Sequence, residues 1–139
     1  MSNFALSSHN PNIPTPKAVY DALDKEFHFN CDPCPLNPNP IIDGLSLDWG
    51  SSTFVNPPYT GVTPWIEKAI AESEKGKIVV MLLRGDTSTK WFHDLVMPKA
   101  KEIRFVKGRI RFSNNKPAPF PSIIAVFKPF QDSDIGGRR

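Results

Sequence analysis

The chain is short of the residues that build metal and redox centres. Only two cysteines occur in 139 residues, Cys31 and Cys34. One C-x-x-C pair cannot fill a four-ligand zinc site. The three histidines, His9, His28 and His93, lack ligand spacing. Pro33 and Pro35 obstruct the helix start that a redox pair would open. Both cysteines therefore read as small buried apolar residues, and no metal is expected. Long hydrophobic runs are also lacking. The longest aliphatic stretch, "IVVMLL" from Ile78, is far too short to span a bilayer, so no membrane partner is expected. No charged-then-apolar leader precedes a cleavage site, which gives a cytoplasmic expectation.

Proline, by contrast, is abundant, and charge is unevenly spread. Hydrophobic residues make up 40% and charged residues 22% of the chain, the balance of an ordinary globular domain. This length is expected to give one domain with a real core. Residues 14–128 are taken as that domain, with a flexible N-terminal arm over 1–13 and a flexible C-terminal tail over 129–139. Fifteen prolines punctuate the loops without any repeat. Net charge is +3, and the excess is concentrated between residues 99 and 116, which hold seven bases and one acid, Glu102. That stretch reads as a solvated face or as a phosphate-tracking patch.

Periodicity and punctuation place the elements. "TPKAVYDALDKEF" is a helix, with Thr15 as N-cap, Pro16 first, and Val19, Leu23 and Phe27 along one face. "FHFNCD" follows as a short strand ending at Asp32, then "PCPLNPNPIIDG" as an irregular loop and "LSLDW" as a candidate short strand. "STFVN" is a strand. Thr63 caps a second helix, with Pro64 first, Trp65, Ile66, Ala69 and Ile70 on its apolar side, and Gly76 at its end. "KIVVMLL" is an unbroken apolar strand, as a central parallel strand buried on both faces would be. A helix over residues 89–97 follows, capped by Thr87 or Ser88, and then the strand "KEIRFV". At Lys107 and Gly108 the apolar alternation changes phase, which a turn or bulge explains. Lys107, Arg109 and Arg111 then fall on one side of a short extended stretch. "SNNKPAPFPS" is a loop and "IIAVFK" a last buried strand. Strands alternating with helices give an α/β fold with a mostly parallel sheet.

The segment "FVNPPYTGVTPW" carries the sharpest signal. Pro57 and Pro58 remove two backbone donors and fix two φ angles, and Asn56 is pushed into an extended conformation by the proline after it. The strand end is therefore stiff, and it aims one amide and one aromatic ring. Such stiffness can simply stop a strand, with Asn56 capping the next turn and Tyr59 in the core. It can also hold two groups for a ligand. Ligands of parallel α/β sheets bind beyond the carboxyl ends of the strands. If "FNCD" and "TFVN" are neighbours and central, "DPCP" and "NPPY" face one cleft.

Asn56-Pro57-Pro58-Tyr59 resembles the motif of amino-group methyltransferases that use S-adenosylmethionine. The wider set of features is similar to the phage-type Dam N6-adenine DNA methyltransferases. These are "TP" at the first helix, "DPCP", "DGL" and "DW" before the motif, then "DTSTKWF" and "KGRIRF". The resemblance spans about residues 14–128. It implies a reduced Rossmann-like methyltransferase fold with an antiparallel last strand, S-adenosylmethionine as cofactor and double-stranded DNA as partner. Asn56 and Pro57 would accept the N–H protons of the adenine 6-amino group, Pro58 would fix the loop, and Tyr59 would stack on a flipped base. The resemblance also implies that Thr15, Pro16, Asp32 and Pro33 line the cofactor site. An acid after a neighbouring strand would take the ribose or adenine, Asp48 first and Asp43 second, against a solvated acid beside Trp49. Lys90, Lys107, Arg109 and Arg111 are the candidate DNA contacts, and Phe120 the candidate wedge. Trp65 and Trp91 read as packing residues.

Three departures from the family pattern bear on these expectations. "DPCPLNPNP" replaces the glycine-rich turn common after the first strand. Only about two dozen residues separate Asp32 from Asn56, which leaves a shallow cofactor site or one completed by a second subunit of a homodimer. No separate target-recognition domain is expected, so residues 107–120 must do most of the DNA reading, or specificity is low. The competing readings are amino methylation of RNA, cytosine or a protein glutamine, and a methyltransferase-like DNA-binding module without activity.

Overall fold

The computed structural model describes residues 14–35, 43–58, 60–111 and 116–130. The expected arm, most of the expected tail, and Tyr59 lie outside these residues. The fold is mixed α/β. Helix α1 spans Lys17–Phe27, strand β1 Ser52–Val55, helix α2 Thr63–Glu74 and strand β2 Ile78–Arg84. A π-helical turn over Phe92–Val96 runs into α3, Met97–Lys99, followed by strands β3, Glu102–Phe105, and β4, Ser122–Phe127.

The helix starts are built differently from the sequence expectation. Pro16, with an extended ψ of 140°, occupies the cap of α1, and no side chain bonds to the helix there. Thr15 is thus released from capping. Val62 holds the corresponding place before α2. After β2 the capping side chain is Thr89, whose Oγ1 accepts the Phe92 N–H at 3.2 Å, and not Thr87 or Ser88. Gly76 ends the α2 turn with φ 99°, a conformation that glycine adopts without steric cost.

The strands lie in the order β1-β2-β4-β3. β1 and β2 are parallel, with Val55 opposite Met81. β4 runs antiparallel to both β2 and β3, so β1, β2 and β3 share one direction. The last strand, whose six residues are all buried, is inserted second from the edge and is paired on both sides. Cys31 forms a single parallel bridge to Thr53 on the outer side of β1. "FNCD" is therefore beside β1 as expected, but the pair sits at the sheet's edge and not at its centre. Pro33, which has no N–H to give, follows almost at once. "LSLDW" is not a strand. Asp43 closes a turn there, its Oδ1 accepting the Leu45 N–H at 3.0 Å and its Oδ2 the Ser46 hydroxyl.

Successive residues of β2 face opposite ways. Val79, Met81 and Leu83 join one core with Val55, Ile66 and Phe92, under α2 and the π-helical turn. Val80 and Leu82 join a second core with Leu23, Phe54 and Ile124, under α1. Each fully buried aliphatic side chain contributes about 1.5–3 kcal/mol relative to exposure. At the foot of β1, Glu72 is 1% exposed and receives Lys75 at 2.7 Å and Lys77 at 2.5 Å. It also accepts the Trp49 N–H at 3.2 Å. Burial alone would raise its pKa, but these hydrogen bonds win and hold it at about 2.

Candidate active site

Residues 30–32 run alongside β1. Asn30 N–H bonds to the Ser52 carbonyl at 2.8 Å, and Phe54 N–H to the Cys31 carbonyl at 3.0 Å. Both segments point the same way, so Asp32 and Asn56 leave the sheet over one rim. β2 ends there as well, at Arg84, with β3 at Phe105. This is the carboxyl rim, where open α/β sheets bind ligands.

Asn56 is buried. Its Nδ2 donates to the Thr15 hydroxyl at 3.0 Å. That bond joins "TP" to "NPPY" across 41 positions, and it fixes the plane of the carboxamide. Pro57 is buried too, and it lines a cavity of about 120 Å³ with Val62, Leu83, Arg84, Asp86 and Trp91. The walls are apolar or aromatic, with the charged pair at the end of β2.

Asp32 accepts the Cys34 N–H at 3.1 Å. Crowding around its carboxylate raises its pKa from the ordinary aspartate value, and the Cys34 N–H offsets part of that rise. Burial, assisted by the Asp32 charge, pushes the Cys34 thiol up to about 11, far from a reactive thiolate. Both cysteines are free. Among the described residues no cluster of three His, Cys, Asp or Glu side chains is placed to hold a metal. Pro33 is buried under the residue 43–46 turn. A Cβ on Gly44 would stand 2.0 Å from the Pro33 carbonyl oxygen and 2.9 Å from the Trp65 ring, so that turn closes down only on glycine.

The two candidate acids are separated by this arrangement. Asp43 lies in the turn on Pro33. Asp48 is exposed at the foot of β1, where its charge reaches Lys75 after the stronger effect of Glu72. The rise along β1, about 3.3 Å per residue, sets the two ends of the strand roughly 10 Å apart. The structure thus gathers Thr15, Pro16, Asp32, Pro33, Asn56, Pro57 and Pro58, and leaves Asp48 outside the group.

The basic segment emerges from the same rim. Gly108 turns with φ 71°. The chain then doubles back, with Ala118 N–H on the Ile110 carbonyl at 2.7 Å and Arg111 bridged to Pro117. Lys107, Arg109 and Arg111 are exposed, and Arg109 also donates to the Ala118 carbonyl at 3.3 Å. Arg104, in the same basic run, is instead tied to Glu26 and Glu102. Phe120 is half-buried, with the Arg84 guanidinium 4.8 Å above its ring. Lys90 is exposed in the turn leading to Trp91. Arg84 and the cavity role of Trp91 escape the sequence reading. The available signal was a lone charge ending an otherwise aliphatic strand, "IVVMLLR".

Among the described residues no helix is long and apolar enough to cross a membrane. The sequence matches the family described as DNA N-6-adenine-methyltransferase (Dam) over residues 7–134. A DNA N-6-adenine-methyltransferase of Haemophilus phage HP1 (strain HP1c1) is 34% identical over 134 residues, covering 83% of this chain and 77% of that protein. With a match over nearly its whole length and the motif's asparagine and prolines at the sheet's carboxyl rim, the chain belongs to the Dam family of DNA N-6-adenine-methyltransferases.

Proposed function

We propose that this chain methylates the 6-amino group of adenine in double-stranded DNA, using S-adenosylmethionine and a base flipped out of the duplex. The observation that carries the reading is the Thr15 bond to Asn56 beside the Pro57 cavity. The antiparallel strand inserted between β2 and β3 fits a reduced Rossmann-like methyltransferase sheet.

The donor set suits the cofactor. Asp32 offers a carboxylate to its ammonium, and Thr15 and Pro16 a small polar wall to its methionine end. The Gly44 contact makes a closed floor of Pro33 and the Asp43 turn, and Asp43 replaces Asp48 as the acid for the ribose hydroxyls. When bound, S-adenosylmethionine supplies an electrophilic methyl group. The chain's own task is to prepare the acceptor. The lone pair of an adenine amine is delocalised into the ring. Asn56 Oδ1 and the Pro57 carbonyl accept its two N–H bonds and favour a pyramidal nitrogen. Thr15 holds the carboxamide so that its nitrogen faces away from the substrate. Pro57 and Pro58 keep the acceptors in place before the base arrives, so that no reorganisation is needed during reaction. Tyr59 stacks on the base.

Incubation with labelled S-adenosylmethionine and unmethylated duplex DNA, followed by nucleoside analysis, tests the proposal. N6-methyladenine is the expected product. Label in cytosine, in RNA alone or in protein would reassign the acceptor, and cofactor binding without any transfer would leave a DNA-binding module.

A further inference from the structure

We propose that Arg84 anchors a DNA phosphate next to the target adenine, so that the backbone is gripped at the mouth of the Pro57 cavity. This rests on the adenine-methylation reading of the same rim. Arg84 ends β2 and is the only charged residue in that strand. It is exposed, so it holds no part of the core. It borders the cavity beside Pro57 and also the neighbouring hollow formed with Gly85, Pro119, Phe120 and Pro121. Arg84 therefore stands between the place assigned to the base and the end of the basic ribbon.

Its guanidinium is pre-oriented. One face lies over Phe120 at 4.8 Å. Phe120 sits between two prolines, and the Pro121 carbonyl accepts the Gly85 N–H at 2.7 Å, which ties that loop to the residue after Arg84. A stacked guanidinium still presents its N–H edge, and that fork matches a phosphate's paired oxygens. Asp86 shares both hollows and would repel an anion, but its carboxylate is turned to the Ser88 hydroxyl at 3.3 Å. A phosphate is favoured over a free carboxylate ligand because a base in the cavity carries its phosphates at the mouth. Phe120 is then less a wedge than the platform that holds the arginine.

The test uses Arg84→Gln and Arg84→Lys in the full chain. The site is first mapped by the adenines that wild type methylates, and a duplex carrying it is then used for ethylation interference. Wild type should show interference at a phosphate flanking the methylated adenine. Arg84→Gln should lose that signal alone, bind DNA roughly tenfold or more weakly, and flatten the salt slope by about 0.9. Arg84→Lys should keep the slope with intermediate affinity. Cofactor affinity should not change in either variant. An unchanged interference pattern and slope in Arg84→Gln would overturn the proposal. If wild type binds DNA but forms no N6-methyladenine, the reaction assignment falls, and the slope difference alone decides whether Arg84 grips a phosphate.

Discussion

Asn56 and Thr15 act as a pair, and their variants should separate two roles. On the proposed mechanism, Asn56→Ala would remove an acceptor from the reacting amine, a loss that typically costs on the order of a hundredfold or more in rate. Cofactor binding should survive, because the residue is assigned to the acceptor side; near-normal turnover would refute the mechanism. Thr15→Val removes the hydroxyl that orients Asn56 while keeping its shape. A smaller loss in kcat is expected, rescued by Thr15→Ser, and equal activity of the valine and serine variants would show that the bond does not position Asn56. Asp32 gives a pH test. Its carboxyl pKa is raised by crowding, so protonation begins at a higher pH than for an ordinary aspartate. As pH falls through that value the carboxylate is lost, and S-adenosylmethionine affinity should drop. In Asp32→Asn the affinity should be low and flat over the same range, measured by calorimetry; a wild-type profile in the variant would remove Asp32 from the site.

The elements show why some of this was legible in the sequence and some was not. β2 was plain because "IVVMLL" admits only burial on both faces, and α1 because Val19, Leu23 and Phe27 mark one face. The rim grouping of Asp32 and Asn56 followed from two strand ends stiffened by proline. The errors came where a long-range partner overrode a local preference. Thr15 looks like a cap, but its hydroxyl is taken by Asn56, 41 positions away. Asp48 was the acid expected after a neighbouring strand, but "LSLDW" is no strand and the residue lies at the foot of β1. The alternation of "LSLDW" suggested a strand, but Asp43 and Gly44 divert the chain into a turn on Pro33. Glu72, on an unremarkable helix face, proves to tie α2 to Trp49 and Lys77. Its pKa is lowered from 4.5 to about 2, so its stabilisation is present above the unfolded value and is lost as pH falls through the folded one. Glu72→Gln should lower the urea midpoint at pH 7 and flatten the stability curve between about pH 5 and pH 2. A variant with the wild-type midpoint and slope would show that the lysines are screened by solvent.

Taken as a whole, the molecule puts its cation-rich surface and its candidate chemistry on one edge. β1, β2 and β3 share a direction, so Asn56, Pro57 and Pro58, Arg84 and the start of the basic ribbon all leave the sheet over the same rim. A duplex lying along this rim would meet the basic ribbon and the motif from one side. Not every base contributes, since Arg104 is neutralised by Glu26 and Glu102 and serves to join β3 to α1. Lys107, Arg109 and Arg111 are exposed along the ribbon, as is Lys116 on its return arm. Replacing these three by alanine should weaken DNA binding and leave cofactor affinity unchanged. If each meets one phosphate, the slope of log affinity against log salt should flatten by roughly 0.9 per contact. Arg109 also holds the ribbon through the Ala118 carbonyl, so its single variant should cost more affinity than its share of the slope. A base-reading arginine would behave differently. It would change which adenines are methylated, at a discrimination of about 1–3 kcal/mol per lost bidentate contact. Phosphate behaviour is expected, because these side chains flank the fold-back of the ribbon while residues 119–121 line the hollow next to the cavity. Equal salt slopes for the triple variant and wild type, measured by anisotropy titration from low to physiological salt, would move the DNA path off this edge.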